Sequence, residues 1–201
     1  MNKTASLFVG ALTIGAALSM TSCSDDARFI GSWTALSPID VAVSMPDVTR
    51  ATSLVTIDFL QNEHKNGGPV TISGKLDVVK SMAIDSATTC RMNVPATATV
   101  SGTWTYDVDD DDDLLLSLDM STLKVSVDEN AITCPGLPAG VQPDSIKAIV
   151  AKACEHELTD AAYTDFSRFA VIDDVEVDKS GNKMSFEIHS PETEIYFIKA
   201  E

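Results

Sequence analysis

Basic residues are scarce in this chain: 14 Lys and Arg stand against 30 Asp and Glu, a formal net charge of −16. A surface of that sign repels nucleic acid and anionic lipid headgroups, so neither is an expected partner. Cations, sugars and neutral apolar molecules stay open. Histidine occurs 3 times and cysteine 4 times in 201 residues, with no CxxC or Cys/His spacing. No zinc-ligand set is present. Long apolar runs are missing too. The N-terminal run "LFVGALTIGAAL" (7–18) falls short of the roughly 20 residues that span a bilayer.

Catalytic patterns are equally thin. There is no GxSxG elbow and no Gly-rich phosphate loop. "STLK" (121–124) and "KSG" (179–181) mimic the SxxK and KTG of penicillin-recognising enzymes. In those enzymes the Ser opens a helix, whereas Ser121 sits in an alternating, strand-like stretch and no SDN is present. "HELTD" (156–160) begins like the zinc motif HExxH, but Asp160 replaces its second His, so a solvated helix is the expectation. Asp107 and Asp109 to Asp113 form an acid run whose mutual repulsion a calcium ion would relieve. The run lacks the Gly and spaced Glu of an EF-hand, so a solvated hairpin tip is preferred. No enzyme activity, metal or cofactor is expected.

What is present begins at the N-terminus. Lys3, the short apolar run and the small residues beyond it form a secretory signal. Met20, Thr21, Ser22 and Cys23 resemble the bacterial lipobox, in which the Cys is acylated and becomes the first mature residue. The following Ser24, Asp25 and Asp26 resemble the acidic tract of surface lipoproteins of the Bacteroidetes type. The resemblance implies a signal peptide at 1–22, a lipidated Cys23 (palmitate among its acyl chains) with a short acidic tether at 23–28, and one domain at 29–201. It places the protein at the outer membrane, exposed at the cell surface or alternatively facing the periplasm. Several acyl chains hold a protein stably where one does not. The competing reading is a cleaved signal that leaves Cys23 free.

With Cys23 acylated, Cys90, Cys134 and Cys154 remain, and an odd number leaves at least one thiol unpaired. Cys134 and Cys154 are the pair to test first. The alternative, that all three are small buried apolar residues, stands equally.

Period-two alternation dominates the rest. Val55, Ile57 and Phe59 share one face, as do Val70, Ile72, Gly74, Leu76 and Val78. The longest series is Met92, Val94, Ala96, Ala98, Val100, Gly102, Trp104, Tyr106 and Val108. Gly102 stands where a long strand can bend. Leu114 to Leu118, Leu123 to Val127, Val175 and Val177, Met184 to Ile188, and Ile195 and Phe197 continue the pattern. "NEHKNGG" (62–68) and "DKSGN" (178–182) supply hairpin turns. Many short strands joined by such turns predict an antiparallel meander of about 8–10 strands closing as a barrel. One helical insertion is predicted near residues 144–166, where Ile146, Ile149, Val150, Ala153 and Leu158 recur at helical spacing. Glu157 falls inside that stripe. A break there, with Thr159 capping a second short helix, is preferred over an inward carboxylate.

Phe29, Gly31 and Trp33 ("FIGSW") and Val100, Gly102 and Trp104 ("VSGTW") carry a repeated GxW. Together with the lipobox they resemble lipocalin-like lipoproteins, whose first GxW places its Trp across the closed end of the barrel. The lipocalin TDYxxY motif is absent: "TDAAY" (159–163) lies on the predicted helix, and that helix precedes the last three strands. The resemblance implies non-catalytic binding of an apolar or amphipathic small molecule inside the barrel. Trp33, Trp104, Tyr106, Val100 and Met92 are the candidate contacts, set against plain core packing of the same residues. The competing function is a structural or interaction module with a filled barrel, binding an envelope protein or glycan.

Overall fold

The computed structural model describes residues 25–43, 47–61, 67–83, 86, 89–106, 114–135, 137, 142–189 and 191–200. Cys23, His64 and the acid run at 107–113 lie outside these. Among the described residues a 3₁₀ turn, Asp25–Arg28, leads into nine strands and one α-helix. The strands are β1 (Gly31–Ala35), β2 (Ile39–Asp40), β3 (Val48–Phe59), β4 (Gly67–Ala83), β5 (Thr89–Tyr106) and β6 (Leu114–Val127), then β7 (Val171–Val177), β8 (Lys183–Ile188) and β9 (Thr193–Lys199). The helix, α1 (Pro143–Ser167), separates β6 from β7.

All pairings are antiparallel, and β3 to β9 each pair with their neighbour in sequence. The sheet then closes on itself, because β1 pairs with β3 through Trp33 and Ile57 and with β9 through Trp33 and Lys199. β2 pairs higher on the same edge of β3, Ile39 opposite Ser53. The seam between β6 and β7 is thin: only Leu114 with Ile172 and Leu115 with Val171 face each other.

The alternation read from the sequence is the inward face. Met92, Val94, Ala96, Ala98, Val100, Trp104 and Tyr106 of β5 are buried, as are Val70, Ile72, Leu76 and Val78 of β4. In β6 the inward parity switches between Leu118 and Leu123. The register explains it: Thr99 faces Lys124 while Ser101 faces Asp119, so several β6 residues bulge opposite one of β5. Local bonds hold the bulge. Asp119 accepts from Ser121 N and Oγ, and Thr122 Oγ1 accepts from Ser101 N at 2.9 Å. Gly102 lies just below it, where a Cβ would collide with the Ser117 carbonyl and Leu118 Cα. Close approach of β6, more than a bend, requires glycine there.

The helix is continuous, which overturns the expected break at Glu157. Thr159 Oγ1 donates back to the Glu155 carbonyl at 2.7 Å instead of capping a second helix. Pro143 at the first position starts α1, where its missing N–H costs nothing. Val150, Ala151, Cys154, Leu158, Ala161, Ala162 and Phe166 form its buried stripe. Glu157, which follows Cys154 by nearly one turn, is half-buried, and its Oε2 is buried with no hydrogen-bond partner among the described residues. The stripe packs on the inner side of the long strands: Phe166 lies over Gly74 of β4 beside Ser53 of β3. Each large apolar side chain so buried contributes about 1.5–3 kcal/mol. Arg168–Ala170 form a 3₁₀ turn, and the strand-forming Val171 and Ile172 begin β7.

Candidate functional site

The five residues singled out from the sequence are core residues. Trp33 and Met92 are 0 % exposed, Val100 and Trp104 1 %, and Tyr106 7 %. Trp104 and Tyr106 meet around Phe29. The Phe29 ring centre lies 6.2 Å from Trp104 and 5.4 Å from Tyr106, and Phe59 is 5.6 Å from Trp104. Their polar atoms are used within the fold. Trp33 Nε1 donates to the Phe29 carbonyl at 2.7 Å, Trp104 Nε1 to the Leu60 carbonyl at 3.0 Å, and Arg28 Nη2 to Tyr106 Oη at 3.0 Å. This aromatic group plugs one end of the ring.

A groove of about 900 Å³ opens elsewhere, and none of those five residues lines it. Its walls are the chain from Ser37 to Ala42, the end of α1 (Thr164, Asp165, Ser167, Arg168), Ala170 and Val171, and the β8–β9 turn with His189, Pro191, Thr193 and Glu194. β1 and β9 run from the aromatic plug towards this groove: Trp33 pairs with Lys199 at one end, while Ser37, two residues past β1, and Thr193, the first residue of β9, line the groove. The groove thus lies at the opposite end of these strands from the plug. Pro38, Ile39, Val41, Ala170, Val171 and Pro191 give it apolar walls, with charged residues beside them.

Arg168 fixes the groove's shape. Its Nε donates to the His189 carbonyl at 3.4 Å, and its Nη2 to the Pro191 carbonyl at 3.1 Å and Thr193 Oγ1 at 3.3 Å. It also pairs with Asp165 at 3.5 Å. With its donors committed, Arg168 is a clamp that ties the helix end to the β8–β9 turn. Burial pushes the Asp165 carboxyl up from its ordinary value, and the Arg168 charge and hydrogen bond oppose that shift. His189 Nε2 also contacts Asp173 Oδ2. No sequence motif marks these residues; they converge only because α1 returns the chain to the ring beside the last hairpin.

The remaining motifs disperse. His156 and Asp160 of "HELTD" are exposed on α1, and Ser121 and Lys124 of "STLK" lie exposed on β6. Among the described residues no three His, Cys, Asp or Glu gather as a metal site, and no helix is long and apolar enough to cross a membrane. Cys90, Cys134 and Cys154 are all thiols, so the Cys134–Cys154 pair is absent. Burial pushes the Cys154 thiol up on α1, with Lys80 and Glu157 as its charged neighbours. Burial also pushes the Cys134 thiol up, with Cys90 and Lys147 as its titratable neighbours.

No protein-family model matches the chain, and neither a curated protein nor a solved structure resembles it. Fold and groove therefore stand on their own geometry.

Proposed function

We propose that this chain is an envelope lipoprotein with a lipocalin-like barrel, acting as a non-catalytic binding module for an apolar or amphipathic small molecule held in the groove at the mouth. The groove carries the reading. Its volume suits a small ligand, and its apolar walls beside Asp40, His189 and Glu194 suit a molecule with one polar end. The ring interior is the poorer place, because Phe166 and the Trp33, Trp104 and Tyr106 side chains occupy it.

Lipidation of Cys23 would orient this site. Five residues, 24 to 28, lie between Cys23 and the buried Phe29, so the link spans at most about 22 Å. An anchor there holds the plugged end near the membrane and turns the groove outward, where a ligand arriving from solution meets it. A filled interior also suits the second reading, an interaction module that binds an envelope protein or glycan with its outer surface.

Native mass spectrometry of protein isolated gently from its own envelope separates the two. A co-purifying small mass that Ala170→Trp abolishes supports the groove. A clean mass, unchanged when fatty acids, haem or bile acids are added, counts against ligand binding and favours the interaction module.

A further inference from the structure

We infer that Cys90 and Cys134 are a disulfide pair, closed when the chain meets an oxidising disulfide, and that Cys154 is the thiol left over. The backbone brings the two together. Asn93 and Thr133 exchange both backbone hydrogen bonds, each 3.1 Å, as an isolated antiparallel bridge between β5 and the segment after β6. Counting outward from that bridge sets Cys134 opposite Met92, one diagonal step from Cys90 on the same face. Burial agrees: Cys90, Met92 and Ile132 are buried and Cys134 is half-buried, while Arg91, Thr133 and Pro135 are exposed. The Cys90 thiol already reaches this segment, donating to the Pro135 carbonyl at 3.2 Å. Diagonal neighbours stand about 7–8 Å apart at Cα, and a disulfide wants roughly 4.4–6.8 Å. Among the described residues after β6, Thr133 alone bridges to β5, so Cys134 can close by the ångström or two required.

The chemistry needs a disulfide-bearing oxidant, such as a protein of the thiol-oxidase class or glutathione disulfide. The more exposed Cys134, as its thiolate, attacks one sulfur of the oxidant, forming a mixed disulfide and releasing one thiol. The Cys90 thiolate then attacks Cys134 Sγ and releases the second. Two protons and two electrons leave the pair, and the oxidant is reduced to two thiols. Burial pushes the Cys134 thiol up, so closure runs faster at alkaline pH. Cys154 is fully buried on α1, out of the oxidant's reach. The bridge would staple the chain that leads from β6 towards α1 onto β5, closing a loop of more than forty residues.

The test treats the full-length protein with glutathione disulfide, alkylates it under denaturing conditions and maps its peptides without reduction. The expected result is a Cys90–Cys134 linked peptide with Cys154 alkylated, whatever the state of Cys23. Reduction should then lower Tm by on the order of 10 °C in the wild type and in Cys154→Ser, but not in Cys90→Ser. Alkylation of both Cys90 and Cys134 in the oxidised protein, or a Cys134–Cys154 peptide, overturns the assignment. The ligand reading is untouched by either result.

Discussion

The Lys199 ammonium lies 5.0 Å from the centre of the Trp33 ring, so the last residue of β9 covers the side chain at the heart of β1. Gly31 makes room for it. A Cβ there would strike the Lys199 stem, and its φ of +131° is a conformation that other residues rarely adopt. The first GxW thus joins the beginning of the ring to its end, its Gly admitting the lysine and its Trp receiving it. Trp33→Ala should cost about 3–5 kcal/mol, since it empties a fully buried site and orphans the Phe29 carbonyl. Lys199→Ala should cost only about 0.5–1 kcal/mol. Urea unfolding of the two variants checks the ranking; equal losses would refute it.

Gly102 of the second GxW has a different task, admitting the β6 backbone. Gly102→Ala should therefore destabilise by about 1–3 kcal/mol, as overpacking does. The Asp119–Thr122 bulge should move with it, seen as altered amide shifts at Ser121 and Thr122. An unchanged Tm would mean that β6 yields freely.

The thinnest joint of the ring is β6 with β7, which share two facing pairs. Native-state hydrogen exchange should find the Leu115 and Val171 amides opening at lower free energy than those of β4 and β5, which face each other from Gly67 to Ala83. Equal protection across the ring would contradict this.

Asp165 gives the groove a pH signature. Burial raises its folded pKa, so protonation favours the folded state. That stability is full below the unfolded carboxylate value of about 4 and is lost as pH rises through the higher folded value. Asp165→Asn should remove this loss, so its Tm relative to wild type should improve between pH 4 and pH 7. The opposite trend would show that the Arg168 pair outweighs burial.

Much of the fold was legible because β-strands write their inward face directly into period-two alternation. Val55 to Phe59, Val70 to Val78 and Met92 to Tyr106 lie where that rule put them. Helical spacing marked α1 within a residue or two of its ends. The continuity of α1 at Glu157 was not legible, because the helix is held by apolar packing on both sides of one awkward carboxylate. The groove was not legible either. It is built from residues 37–42, from Thr164, Asp165, Ser167, Arg168, Ala170 and Val171, and from His189, Pro191, Thr193 and Glu194, which carry no shared motif and meet only through the folding of α1 back onto the ring. The nearness of Cys90 to Cys134 depends likewise on a single bridge, Asn93 to Thr133.

The most direct test of the binding account is amide chemical-shift mapping of the protein titrated with the amphipathic probe 8-anilinonaphthalene-1-sulfonate. The account predicts saturable shifts at Val41, Ala42, Thr164, Ala170 and Val171, lost in Ala170→Trp. Shifts centred on Met92, Val100 and Trp104 would place the ligand inside the ring and contradict it, and no saturable shift at all would refute the groove as a binding site.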